Sequence, residues 1–284
     1  MTSHAAVPFR HGLLSISAAA VAWGVGGAVA ALLMRTSGLG PVAVSCWRFG
    51  VAALCLALLP SERPSGKPGS TVLTGLGLAV SQCAYFGSVH YAGLGLGTLI
   101  TIGAGPVLTS LGAHLLLGER LTRRSAAAVL LALGGLTLLV AAPAAGPRPA
   151  LGAALAVLAG AGQSGLTLWA RGGGSARAST GAFTTGLLCL LPFAALQGLL
   201  PTLGRPALTG GALIFLGTVP TLLAYRWYFS GLTSVPGTTA SVLVLLEPAT
   251  AAVIGVLFLG EPFTLGLAAG SALLLAAIAA LTRP

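Results

Sequence analysis

The chain has 284 residues, of which 56% are hydrophobic and only 6% charged, and its mean hydropathy of +0.97 excludes a water-soluble globular surface. The formal net charge of +10 is scattered, with no basic cluster larger than Arg120, Arg123 and Arg124. This argues against a nucleic-acid partner and for bases that orient a membrane protein.

A helix that crosses the hydrocarbon core needs about 20 apolar residues. Breaks at Gly, Pro and charge divide this chain into ten such runs. The first, 12–34, follows a short head carrying Arg10, and "AVA" at 28–30 resembles a cleavage site. The run is longer than the roughly 7 to 15 apolar residues of a signal peptide, and more spans follow, so a retained first helix is expected. Runs at 42–59, 71–91, 97–117 and 125–142 come next, and after them 150–171, 178–199, 207–231, 236–259 and 264–282. The linkers, such as "PSERPSGKPGS", "APAAGPRP" and "ARGGGSARA", leave no room for a soluble domain. Function is therefore expected among the helices. Forty-two glycines in so apolar a chain suit helices that pack backbone to backbone.

With the first segment inside, Arg10, Arg63, Lys67, Arg120, Arg123, Arg124, Arg171, Arg177 and Arg283 fall on the cytoplasmic side, and Arg35, Arg148 and Arg205 on the other. The bias predicts both termini in the cytoplasm, in a cell membrane. Sliding the chain against itself by 142 residues places "GPVLTSLGAHLLLGERLT" on "EPATAAVIGVLFLGEPFT". Pro106 then meets Pro248, Gly118 meets Gly260, Glu119 meets Glu261 and Thr122 meets Thr264, while Tyr85 and Phe86 meet Trp227 and Tyr228. Two copies of one unit are predicted, over 1–142 and 150–284. Five is an odd number of spans, so the second copy enters the membrane inverted. The expected fold is an all-α integral membrane protein with ten transmembrane helices in two inverted five-helix repeats, an architecture suited to alternating access.

Several residues stand out from the apolar background. Glu247 lies near the middle of span 9, where an ionised carboxylate costs about 2.5 to 3.5 kcal/mol. One reading makes it a proton-coupling or substrate-ammonium site, the other a fixed contact to Arg48 or to backbone freed by Pro248. Its counterpart in the first copy is Gly105, so the site is expected to be asymmetric. Arg48, seven residues into span 2, is either the partner of Glu247 or of a substrate carboxylate, or an anchor bonded to helix ends. Trp23, Gln82, Tyr85 and Gln163 fall nearer mid-depth and are candidates for a cavity wall. Pro106 and Pro248 are hinge candidates or static kinks. Glu119 and Glu261 read as structural turn residues, with Thr122 and Thr264 able to cap the helices that follow. Arg226, with Tyr225, Trp227 and Tyr228, reads as an interfacial belt. His90 and His114 read as packing or interfacial residues, and the four cysteines as small packing residues.

The segments "AWGVGGAVA", "CWRFGVAALCLALL", "YFGSVHYAGLGLGTLITIGAGPVLTSLGAHLLLGERLT" and "LVLLEPATAAVIGVLFLGEPFT", with their paired P-x(11)-G-E elements, resemble the drug/metabolite transporter superfamily, specifically proteins with two EamA domains. The resemblance implies a ten-helix carrier of small metabolites, often amino acids or drugs, frequently moved outward. It does not name the substrate.

An intramembrane enzyme would need paired acids, a Ser/His set or a metal cluster. The chain has no Asp and only dispersed His, so no catalytic residue, metal site or cofactor is expected. A G-x-x-x-x-G-K-[ST] element is also missing, which leaves ATP-driven pumping unsupported. A structural or receptor-like membrane protein fits less well with a repeat and a mid-span carboxylate. The expected partners are a small-molecule substrate and the lipid bilayer, with oligomeric state open. Aromatic wall candidates suit aromatic or apolar amino acids. Proton coupling and facilitated diffusion both stay open, and sugar or nucleotide-sugar transport is the alternative.

Overall fold

The computed structural model describes residues 8–58, 68–92, 94–139, 147–172, 179–203, 205–258 and 265–282. These form α1 (Phe9–Ser37), α2 (Pro41–Leu58), α3 (Pro68–Ala92), α4 (Leu94–Leu117), α5 (Arg123–Leu139), α6 (Pro149–Arg171), α7 (Thr180–Gln197), α8 (Pro206–Gly217), a π-turn (Thr218–Leu223), α9 (Ala224–Gly231), α10 (Gly237–Leu243), α11 (Leu246–Phe258) and α12 (Leu265–Thr282). Among the described residues there is no strand. Glu261 and Thr264 lie outside the described residues.

Local chemistry sets the helix ends. Pro149 and Pro206 open α6 and α8, where a missing N–H costs nothing. Ser179 accepts the N–H of Ala182 at 3.2 Å and caps α7, and Thr122 accepts that of Ser125 at 3.1 Å and caps α5, as its position predicts. Gly118, at φ +67°, turns the chain out of α4 so that the Glu119 N–H returns to the Ala113 carbonyl at 3.0 Å.

Among the described residues, eight helical stretches are long and apolar enough to cross a bilayer: α1, α2, Gly69–Ala92, Ile100–Leu117, α6, α7, Pro206–Gly231 and Gly237–Phe258. The described residues of the expected runs at 125–142 and 264–282 are also helical, as α5 with 17 residues and α12 with an apolar stretch over Ala268–Ala280. These two pack along each other, while α3 lies against α6, α4 against α6, and α2 against α7.

The core is continuous through α1, α2, α7 and α9, with Ile16, Phe49, Phe183 and Tyr228 fully enclosed. Phe49 and Phe183 meet at a ring separation of 5.7 Å. Large apolar side chains such as Leu115, Leu116, Leu196 and Phe258 point outward, as a lipid-facing surface requires. Close approach of α1 depends on small residues. A Cβ on Gly24 would stand 2.6 Å from the Glu247 carbonyl oxygen, and one on Gly26 would stand 2.6 Å from Pro220. Both contacts bring α1 against proline-bearing stretches, at Pro248 and at Pro220.

Candidate functional site

Two prolines shape the interior. Pro248 has no N–H for the carbonyl of Val244, four residues back, and the Glu247 N–H takes that carbonyl instead at 2.9 Å. Leu245 makes the same shortened bond, to Val242 at 3.1 Å, so the chain tightens between α10 and α11. Glu247 is thereby set in the first turn of α11. At that end of a helix, unsatisfied N–H groups and the macrodipole favour a carboxylate, which accounts for its toleration within an apolar span.

Pro220 leaves the Leu216 carbonyl free in the same way. The Thr221 hydroxyl donates to that carbonyl at 2.7 Å within the π-turn Thr218–Leu223. The lone pairs of Thr221 Oγ1 then face α2, where Arg48 Nε donates to it at 3.0 Å. Among the described residues, the two terminal guanidinium nitrogens of Arg48 have no hydrogen-bond acceptor.

Between the helices lies a cavity of about 1010 Å³. Arg48 and Glu247 both line it, together with Trp23 from α1, Gln82 and Tyr85 from α3, and Gln163 from α6. All six wall and charge candidates of the sequence are thus brought to one space, and Pro106 and Pro248 line it as well. Arg48 and Glu247 are not within the 4 Å of an ion pair, and the Glu247 carboxylate has no hydrogen bond to a described residue. The reading of Glu247 as a fixed contact to Arg48 therefore does not describe this structure. The Tyr85 hydroxyl lies 3.0 Å from Thr98 Oγ1, which keeps the ring against the wall.

Tyr225 and Tyr228 correct the sequence reading. They do not stand in an interfacial belt but line the cavity, both buried, with Trp23 packed against them at ring separations of 5.2 and 5.3 Å. Thr167 donates to the Gln163 carbonyl at 2.9 Å, so the Tyr228 O–H at 2.6 Å is the donor to Thr167. Trp227, 37% exposed, does point away from the core. Helical spacing of three residues, Tyr225 to Tyr228, and the alignment of Tyr228 with Phe86, beside the wall candidate Tyr85, were the available signals.

The two histidines stay apart from this space. His90 meets the Tyr91 ring edge-on at 4.8 Å, and His114 Nδ1 lies 3.0 Å from the Glu119 carbonyl. Glu119 is a structural tie: Arg171 Nη2 donates to its Oε1 at 2.8 Å.

Comparisons with known proteins bear on the family and the fold. The chain is 34% identical over 288 residues to an uncharacterised protein of Pseudomonas aeruginosa, covering 95% of this chain and 96% of the relative. It is 29% identical over 257 residues to YwfM, an uncharacterised transporter of Bacillus subtilis, covering 87% and 86%. A solved crystal structure of a protein shares the fold at a TM-score of 0.79 and 21% identity, over 95% of this chain and 98% of that one. The model of the EamA-like transporter family matches twice, at residues 10–141 and 150–283. An all-helical, multi-pass interior cavity and a family match that spans nearly the whole sequence place this chain in the EamA-like transporter family.

Proposed function

We propose that this protein is a secondary carrier of zwitterionic small molecules, apolar or aromatic amino acids foremost, moving them outward across the cell membrane by alternating access. The observation that carries the reading is the relation of Arg48 and Glu247: opposite charges that face one cavity and do not pair with each other. Holding two such groups in a membrane interior without mutual contact is costly. A ligand with its own carboxylate and ammonium, bound between them, satisfies both. Trp23, Tyr85 and Tyr225 supply apolar faces for a side chain, with Tyr228 packed behind Trp23. The cavity volume is at the upper end of the range of about 300 to 1,000 Å³ usual for small-molecule sites.

In this reading the chain has ten spans in two inverted repeats, 1–142 and 150–284. The double family match and the helical character of α5 and α12 support that count. The excess of bases on one side supports cytoplasmic termini.

The test uses purified protein in liposomes loaded with a mixed pool of amino acids, sugars and nucleotide sugars, with efflux followed by mass spectrometry. Selective loss of an apolar or aromatic amino acid is the expected result. Loss of a sugar instead would overturn the substrate assignment. A pH gradient that accelerates efflux through the native chain but not through Glu247→Gln identifies proton coupling, whereas insensitivity of both identifies a facilitator.

A further inference from the structure

The cavity is built differently at its two ends. Along α1 its lining runs from Trp23 to Met34, and it reaches Pro41 at the start of α2. On α4 it stops at Pro106 and on α6 at Thr167, although those helices continue to Leu117 and Arg171. Two layers fill the remaining depth. The nearer is the aromatic floor of Trp23, Tyr225 and Tyr228, fastened by the Tyr228–Thr167 hydrogen bond.

The farther layer gathers on the carboxylate of Glu119. Arg171 donates to Oε1 from Nη2 at 2.8 Å and from Nε at 3.2 Å. The N–H of Gly237, at the start of α10, donates to the same carboxylate at 3.2 and 3.3 Å. Arg171 uses its remaining arm, Nη1, on the Leu232 carbonyl at 3.1 Å. One acidic side chain from the first family-matched stretch thus joins the end of α6 to the start of α10, and Arg171 in turn reaches the α9 side of the α9–α10 connection, all from the second. The side chains of Arg171 and Glu119 are only 22% and 19% exposed, so water competes weakly for these bonds. None of the four residues lines the cavity, so substrate binding does not account for them.

We infer that Glu119 and Arg171 form a gate that holds this end of the cavity shut, and that parting of the pair is the step that opens it. Because the Arg171 and Gly237 donors converge on one carboxylate, its release frees the end of α4 from α6 and α10 together, which is what a two-state closure needs. The inference rests on the alternating-access reading, but its test contains no substrate.

The test uses the full chain with Cys46, Cys55, Cys83 and Cys189 replaced by Ala and a single reporter, Gly105→Cys. Gly105 lines the cavity, and a Cβ there meets nothing within 4 Å. A charged, membrane-impermeant thiosulfonate is applied to oriented proteoliposomes from each face in turn. The expected reaction comes from the face at the α1–α2 turn. Glu119→Gln and Arg171→Gln should each raise the rate from the opposite face about tenfold or more, the scale of a lost hydrogen bond to a charged group. The double variant should exceed the larger single effect by little, because either change already dismantles one unit. Unchanged rates in both single variants, additive effects, or equal access to the unaltered gate from both faces would each overturn the proposal. If Glu119→Gln does not fold, Arg171→Lys decides: it keeps the charge but loses the fork, and a rise of severalfold supports the gate while no rise refutes it. Absence of amino-acid efflux in the liposome experiment would remove the substrate assignment and leave this result standing.

Discussion

Arg48 on α2 and Glu247 on α11 face the same cavity and leave each other unpaired. For the proposed zwitterionic substrate, the two groups divide the work: the guanidinium takes the carboxylate and the Glu247 carboxylate takes the ammonium. Replacing Arg48 by Gln should raise KM for an amino acid about ten- to hundredfold, the range of a lost hydrogen bond to a charged group. The corresponding decarboxylated amine should be indifferent to that change and sensitive to Glu247→Gln. Competition by the two ligands against labelled amino-acid uptake reads this out; equal sensitivity of both ligands to Arg48→Gln would break the assignment.

Thr221 holds Arg48 and also answers the carbonyl that Pro220 leaves free. Thr221→Val keeps the shape and removes both bonds. We expect a stability loss of about 1 to 3 kcal/mol from the unanswered carbonyl, seen as a lower melting temperature in detergent, with KM raised more than kcat is lowered. A variant that melts lower with unchanged KM would limit Thr221 to a fold role.

Pro248→Ala restores an N–H four residues after Val244. The normal α-helical bond can then form and the tightened turn before Glu247 relaxes. Thermal stability should hold or rise while transport falls, since the carboxylate is turned from its present direction. Activity retained at the native level would show that the turn does not aim Glu247.

The buried Tyr228–Thr167 bond is short, at 2.6 Å. Tyr228→Phe removes its donor and should cost about 1 kcal/mol. Melting curves for Tyr228→Phe, Thr167→Val and the double variant should show non-additive losses; simple addition would mean that the two groups act separately.

A Cβ at Gly24 meets the Glu247 carbonyl and the Thr250 side chain at 2.6 Å each. Gly24→Ala should destabilise the protein by about 1 to 3 kcal/mol through overpacking. Gly27, where a Cβ meets nothing within 4 Å, serves as the comparison on the same helix, and equal melting shifts for Gly24→Ala and Gly27→Ala would refute the close contact.

Much of this molecule is legible in its sequence because the membrane leaves few choices. A carboxylate at position 247 and a guanidinium at position 48 are conspicuous among apolar neighbours, and polar groups at such depth turn inward. Tyr225 and Tyr228 were missed for the opposite reason: tyrosines near a span end suit an interfacial belt equally well, and their direction is set by packing against Trp23. The π-turn was beyond local reading. Pro220 announces a lost bond, but the reply of Thr221, and its service to Arg48 173 residues away, depend on how α8 and α2 meet. The tie of Glu119 to Arg171 likewise spans 52 residues and has no local signature.

The uncombined charges of Arg48 and Glu247 also have an electrical meaning. With both ionised they sum to zero, and a zwitterion adds nothing to that sum. The membrane potential, worth about 2.3 kcal/mol per elementary charge per 100 mV, then exerts no net pull on the pair and its ligand, empty or loaded. A proton on Glu247 leaves one uncancelled positive charge and makes that half of the cycle responsive to voltage. Currents recorded across a membrane holding this protein therefore report whether either half of the cycle carries a proton, without any need to follow the ligand.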